Sequence, residues 1–411
     1  MKLLVFTGTH PFFTSSASAN RLASLLKGLA ALGSDVELLI LGGYQKREEK
    51  EKMGTSGTYL DIRYHYLSTA LLDGLWKRRY HHYIGKKIEA FFIDRKIRKL
   101  IVYTDKETIV WTTQDYHLLK LLCRVKSQYS RIRYFTEISE FLDIHHYNLG
   151  NTLQKRQGDL VQRFFENKSF YDHKGIALMT HTLLKHYQDF PGNKPRLLHL
   201  PMTVDLERFA VQHMRLNAFK QPYIVYIGVL NNAKDGIDVL LQAFAQIALM
   251  FPYLKLYLVG PWHYDTPAHL QFIQRSGLQD RIFWMGEFNR EQIPAILQHA
   301  ELLALPRPDS KQAQGGFPTK LGEYLASGKP VCVTTVGEIP DYLEDGESAF
   351  FAKPGSVDSF AAAMRKALSE KENALRVGVN GRKVAEKHFN KDIQAKILYD
   401  FFQELIKNDP K

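Results

Sequence analysis

The sequence predicts an α/β protein of two doubly wound domains, and three observations carry the prediction. At 411 residues the chain is too long for a single ordinary core, which implies two domains of about 200 residues each. Its opening runs strand, loop, helix, glycine, strand, the first βαβ unit of a doubly wound domain. Residues 306–335, PRPDSKQAQGGFPTKLGEYLASGKPVCVTT, then read as a strand end, a glycine loop, a short helix, a turn and a buried strand.

In order, residues 3–6 form the first strand and residues 7–18 a polar loop of small residues. Residues 19–32 are helical, with Leu22, Leu25, Leu26 and Leu29 on one face and Gly33 as the cap. Residues 36–41 are the next strand. No G-x-G-x-x-G accompanies this unit, which argues against a nicotinamide or flavin enzyme. Residues 42–57 are polar and charged and are expected to be mobile. Strands at 108–112 and 133–137 flank a helix at 117–129, and residues 175–180 are a strand with a helix starting at 182. Residues 196–201 run into a linker. Beyond it come a strand at 223–227, a helix from 237, strands at 255–259 and 282–285, a helix at 289–298 and a strand at 302–305. The expected division is 1–203, then 204–388, with 389–411 a terminal helix returning to the first domain.

Composition narrows the class. The apolar content of 45% is that of a globular protein. No run approaches the ~18 apolar residues of a membrane span. The start, MKLLVFTGTHPFF, lacks a basic n-region and a cleavage site and reads as a buried strand, not a signal peptide. Two cysteines argue against a disulfide framework and fit a cytoplasmic home; Cys123 and Cys332 both read as packing residues. The net charge of +12 permits nucleic acid, an anionic membrane surface or anionic substrates as partners. Residues 76–99, WKRRYHHYIGKKIEAFFIDRKIRK, carry nine Lys and Arg against two acids with aromatics interleaved. That composition suits an interfacial helix, and an ordinary amphipathic helix packed on the first sheet is the alternative. Glu137, Glu140 and Asp143 fall at a strand's C-terminal end, where open α/β sheets bind ligands. His145 and His146 follow, but adjacent His side chains diverge and match no zinc spacing.

The chemistry of residues 306–335 is anion binding. Gly315 and Gly316 lack a Cβ, so their N–H groups can approach a ligand closely. The helix behind them offers its positive dipole end and unpaired amides. Lys320 adds a full charge in the first turn. Glu323, one turn deeper, has a carboxylate able to accept two hydroxyl bonds from a ribose diol. A diphosphate linked to a ribose fits these groups. For isolated glycines, the alternative is a turn beside a solvated lysine and glutamate.

The same stretch resembles the signature of family 4 retaining glycosyltransferases. These have the GT-B architecture, two doubly wound Rossmann-like domains facing each other across a cleft. The family carries a Glu, a Gly-Phe-Gly-type loop, and a second Glu eight positions later on a helix ending Ala-x-Gly-x-Pro-Val. Glu323 matches the second Glu, and Ala326-Ser327-Gly328-Lys329-Pro330-Val331 matches the helix end. Gly315 stands where the first Glu would be, and the sub-pattern Gly-Gly-Phe-Pro-Thr-Lys-Leu-x-Glu replaces the usual motif. Val204-Asp205-Leu206-Glu207-Arg208-Phe209 resembles the family's interdomain Val-Asp-x-x-x-Phe. Family members commonly have Gly-Arg-Leu, three residues, then Lys-Gly, whose Arg and Lys touch the donor diphosphate. Lys234 matches that Lys, with Asp235 inserted before Gly236, and Val229 replaces the Arg. Arg307 is a candidate to supply the missing charge, on our own inference and not on the family pattern.

The resemblance implies transfer of a sugar from a nucleotide-diphosphate donor, with retention of configuration and no bound metal. The acceptor it implies is a lipid-linked or growing surface glycan at the cytoplasmic membrane face. Lys234, Lys320 and Glu323 are the candidate catalytic residues. Gly228, Arg307, Gly315, Gly316, Phe317 and Thr319, with Lys320 and Glu323, are the candidate donor-binding residues. A sugar-nucleotide epimerase of the same architecture is the alternative enzyme. A nucleic-acid-binding protein is disfavoured, because no helix-turn-helix, zinc or RNA-binding sheet signature is present.

Overall fold

A computed structural model describes residues 1–13, 16–44, 47–72, 74, 77, 94–101, 107–128, 132–142 and 152–407. Two compact units divide the chain: Met1–Leu200 with Asp392–Lys411, and Pro201–Lys391.

The first unit is built on an eight-stranded sheet. Its strands are β1 (Lys2–Thr7), β2 (Asp35–Ile40), β3 (Ser56–Tyr59), β4 (Ile62–Tyr66), β5 (Thr108–Thr112), β6 (Arg133–Ile138), β7 (His173–Leu178) and β8 (Arg196–His199), in the order β3-β4-β2-β1-β5-β6-β7-β8. Every pairing is parallel except β3 with β4. β1 and β5 are buried along nearly their whole length, as strands covered on both faces must be. The helix Ala17–Ala31 starts at Ser16, whose hydroxyl accepts from the Ala19 amide, and it buries Leu25, Leu26 and Leu29 against the sheet. On the same face the C-terminal helix Lys391–Lys407 places Ala395, Leu398, Phe401, Phe402 and Leu405. The Phe402 ring meets Phe135 edge-on at 4.7 Å.

Within residues 42–57, expected to be mobile, the described residues 47–57 are held by tyrosines. Arg47–Met53 is a helix with Glu49 and Met53 buried. Tyr66 Oη donates to Glu49 Oε1 at 2.6 Å, Tyr64 Oη to the Met53 carbonyl at 2.7 Å and Tyr44 Oη to the Gly54 carbonyl at 2.6 Å. This polar segment is thus held against the sheet by hydroxyls from 10 to 17 positions away.

Most of residues 76–99 lies outside the described residues, as do Asp143, His145 and His146. Residues 94–101 are helical, and Ile97 and Ile101 are buried with Leu118, Leu121 and Leu122. That end of the basic stretch therefore packs as an ordinary amphipathic helix. Among the described residues, no helix is long and apolar enough to cross a membrane.

The second unit carries a six-stranded, all-parallel sheet. Its strands are β9 (Tyr223–Ile227), β10 (Lys255–Val259), β11 (Ile282–Gly286), β12 (Leu302–Leu305), β13 (Val331–Thr334) and β14 (Phe350–Ala352), in the order β11-β10-β9-β12-β13-β14. Cys332 is fully buried in β13, and Cys123 is buried on the helix Tyr116–Gln128.

Candidate functional site

From β9 the chain moves outward to β10 and β11, whereas from β12 it moves the other way to β13 and β14. The carboxyl ends of β9 and β12 are therefore a topological switch point, where connections diverge and leave a crevice for a ligand. Gly228 follows β9, Arg307 is the second residue after β12, and the helix Thr319–Ala326 precedes β13.

Lys320, in the first turn of that helix, points into the switch point. Its Nζ donates to Tyr226 Oη at 2.7 Å, lies 3.0 Å from Asp235 Oδ2, and sits 4.5 Å from the centre of the Tyr226 ring. Gly228 makes room for this. Its φ of +149° is a glycine conformation, and a Cβ there would collide with Lys320 Nζ and come within 2.7 Å of Tyr226 Oη. Sequence reasoning took Lys320 as a charge waiting for a diphosphate. The structure adds to this that the ammonium is already paired with a buried carboxylate. Burial lowers the Lys320 pKa, and Asp235 partly restores it. Burial likewise opposes ionisation of Asp235, but Lys320 and Arg307 outweigh it and hold the carboxyl below its ordinary value.

Asp235 reaches this position from a single helical turn, Asn232–Asp235. Asn231 caps it by accepting the Lys234 amide at 2.9 Å. Gly236 ends it with φ +66°, and a Cβ there would strike the Pro306 carbonyl. A polar layer fixes the turn from behind. The Asn232 amide donates to Asp265 Oδ2 at 2.9 Å, and Asn232 Oδ1 lies 2.7 Å from His269 Nε2. Lys234 is half-buried, and its charge is felt at Lys320.

The paired glycines behave differently from expectation. Lys311–Gly315 is a helical turn capped by the Ser310 hydroxyl, which accepts from the Ala313 amide. The Gly316 N–H donates to the Gln312 carbonyl at 2.9 Å, so it is spent inside the protein and does not face a ligand. Gly315 is buried within the turn. Arg307 is 2% exposed, and its Nη2 donates to the same Gln312 carbonyl at 3.2 Å. Its guanidinium secures the turn and lends its charge to the cluster from behind. Phe317 packs edge-on against Tyr342 at 5.5 Å and stacks obliquely on Phe389 at 5.2 Å, which fixes the approach to the helix. Pro318 is the N-cap, and the amides of Thr319 and Lys320, first in the helix, have no intrahelical acceptor. Lys234, Lys320 and Arg307 against Asp235 leave the cluster positive, beside the positive end of a helix.

Glu323 lies one turn deeper and is about one-fifth exposed. Its Oε1 accepts from Arg208 Nη1, and Arg208 Nη2 donates to the Arg290 carbonyl at 2.6 Å. One carboxylate oxygen is thus anchored by Arg208. Tyr226, Asp235 and Arg208 are site residues that sequence reasoning missed. An acidic residue inserted in a loop expected to hold a diphosphate was the available signal for Asp235. In the first unit, Glu137 is taken by Arg21, whose Nη2 also donates to the Leu200 carbonyl at 2.7 Å. Among the described residues, no group of three His, Cys, Asp or Glu side chains could hold a metal ion.

Residues 212–384 match the family model described as Glycosyl transferases group 1. The matched segment holds Tyr226, Lys234, Asp235, Arg307, Lys320 and Glu323, and Arg208 lies just before it. The chain is similar to the MMP alpha-(1->4)-mannosyltransferase of Mycolicibacterium hassiacum, 26% identical over 203 residues, 49% of this chain and 47% of that protein. It is also similar to the GDP-mannose-dependent alpha-(1-6)-phosphatidylinositol monomannoside mannosyltransferase of Mycobacterium tuberculosis, 25% identical over 222 residues, 52% of this chain and 57% of that protein. The chain spans about half the length of the curated relatives it matches. Whole-chain likeness comes from solved structures. The sucrose-phosphate synthase of Thermosynechococcus elongatus superposes with a TM-score of 0.76 at 16% identity, covering 99% of this chain and all of that one. Anabaena HepE in complex with UDP-glucose superposes with a TM-score of 0.68 at 15% identity, covering 98% of this chain and 100% of that one. The fold is α/β of the GT-B type.

Proposed function

We propose that this protein is a retaining glycosyltransferase. It takes a sugar from a nucleotide-diphosphate donor and passes it, without a bound metal, to a lipid-linked or growing surface glycan. The observation that carries the reading is Lys320 with the free amides of its helix at the β9/β12 switch point, and Glu323 one turn deeper. As the bond from sugar to diphosphate breaks, negative charge grows on the leaving oxygen. Lys320, Lys234 and the Thr319 and Lys320 amides are set to stabilise it without reorganising. Glu323 Oε2 takes a ribose hydroxyl. No side chain is assigned as nucleophile. The mannosyltransferase names of the relatives and the UDP-glucose held by HepE support a nucleotide-sugar donor. The phosphatidylinositol mannoside in one relative's name supports a lipid-linked acceptor.

The test is a panel of UDP-, GDP- and ADP-sugars scored by thermal shift and by donor hydrolysis, each with and without EDTA. At a hundredfold excess over Kd, the true donor stabilises by about 2.7 kcal/mol, and EDTA leaves both signals in place. A panel with no shift and no hydrolysis removes the reading. Loss in EDTA with recovery in magnesium removes metal independence alone.

Work at the cytoplasmic membrane face belongs to the same proposal, and the basic residues 76–99 are its support. Each Lys or Arg near an anionic surface contributes about 1 kcal/mol, weakened by salt. The protein should therefore sediment with anionic vesicles at low salt, and Gln at Lys77, Arg78, Arg79, Lys86 and Lys87 should release it. Wild type left in the supernatant at low salt would end the membrane assignment.

A further inference from the structure

Asp235 carries the wrong sign for the site in which it stands. It is 3% exposed, 3.0 Å from Lys320 Nζ, and under the charge of Arg307. A carboxylate there repels any diphosphate that reaches Lys320, and it engages the same ammonium that the diphosphate needs. If the loop served binding alone, a neutral acceptor such as asparagine would hold Lys320 in the same place.

We infer that Asp235 is an internal counter-anion of Lys320, a positioning residue that aims the ammonium at the crevice and limits how tightly a nucleoside diphosphate is held there. This rests on the donor site proposed above. The ammonium has two partners in the protein, Asp235 and the Tyr226 hydroxyl, which fix its position, and Gly228, lacking a Cβ, leaves room beside it. A bound diphosphate shares Lys320 with Asp235 and never has its whole charge. The leaving group is stabilised while the bond breaks, yet the product diphosphate departs readily. Affinity differences of this kind appear mainly in the dissociation rate.

The experiment uses the full chain and whichever of UDP, GDP or ADP gives the largest thermal shift on wild type. Asp235→Asn keeps an oxygen for Lys320 Nζ and removes the charge. The nucleoside diphosphate should bind it about tenfold tighter by calorimetry, with slower release in stopped flow, because one repulsive charge is gone. A merely structural role predicts the opposite, weaker binding. Asp235→Ser repeats the measurement with a smaller side chain if Asn is not accommodated. A crystal structure of wild type with the diphosphate reads the same point independently: Lys320 Nζ should contact a phosphate oxygen while still facing Asp235. Unchanged or weaker binding in a folded Asp235 variant overturns the inference, as does a complex in which Lys320 does not touch phosphate. If no diphosphate binds wild type, the donor-site reading itself fails, which is a separate outcome.

Discussion

Replacing Lys320 with methionine should cost both stability and turnover, and the two losses should respond differently to a second substitution. Removing one partner of a buried ion pair strands the other charge, at a cost of about 3 kcal/mol. The Lys320 side chain keeps one-fifth of its surface exposed whereas Asp235 keeps 4%, so the stranded group is the worse solvated of the two. For a unit of this size the melting transition should fall by roughly 10 °C. Adding Asp235→Asn removes the stranded charge and should restore most of the loss. Turnover should fall on the order of 10² to 10³ in the single variant, as when a preorganised donor to a leaving oxyanion is deleted, and the double variant should not recover it. The pH dependence follows from Asp235, whose folded-state pKa lies below the ordinary 3.8. The pair's stabilisation is therefore full above about pH 3.8 and is lost as pH falls through the lowered value, so wild type and variant should converge in acid. Calorimetry checks the stability half and donor hydrolysis the other. A folded Lys320→Met with unchanged melting and turnover would show that the pair supports neither fold nor site.

How much of this was legible beforehand depends on how far apart in sequence the deciding contacts are. β1, β2, β9 and β13 read directly from short apolar runs, because strands buried on both faces leave that pattern. The hairpin β3–β4 did not, since Ser56–Tyr59 is polar and mostly exposed, and what orders its surroundings is three tyrosine hydroxyls. At the candidate site, Gly228, Lys320 and Glu323 were named from glycine placement and from a resemblance, and the switch-point topology brings the elements carrying them to one place. What the sequence did not reveal was how they are already engaged. Lys320 meets Tyr226 across 94 positions, and Glu323 meets Arg208 across 115. No local pattern announces such pairings. The Gly316 amide was misread for the opposite reason: the short helix Lys311–Gly315 is too polar and too brief to show a period, yet it consumes the N–H that a glycine loop would have offered.

Glu323→Ala should weaken donor binding through the ribose, and the choice of nucleotide can isolate that. Oε1 of Glu323 is held by Arg208, and Arg208 is in turn tied to the Arg290 carbonyl, which leaves Oε2 as the oxygen we propose for the ribose. A hydrogen bond from a hydroxyl to a charged acceptor is worth about 1.5–3 kcal/mol. The nucleoside diphosphate should therefore bind Glu323→Ala roughly ten- to a hundredfold more weakly. Stability should fall by less than in Lys320→Met, because the freed Arg208 is 16% exposed and keeps its bond to the Arg290 carbonyl while Leu321, Tyr324 and Leu325 do the packing of the helix. Deoxy analogues make the argument specific. Wild type should prefer the ribonucleotide over its 2′-deoxy or 3′-deoxy counterpart, whichever hydroxyl Oε2 reaches, and Glu323→Ala should bind all three with nearly equal, weak affinity. Arg208→Gln should fall between, since it frees the carboxylate to turn without removing it. Calorimetric titration of the three nucleotides against the three proteins decides the matter. If Glu323→Ala is folded and still prefers the ribonucleotide by the wild-type margin, Glu323 does not hold the ribose, and its bond to Arg208 is only part of the packing between the linker and the helix.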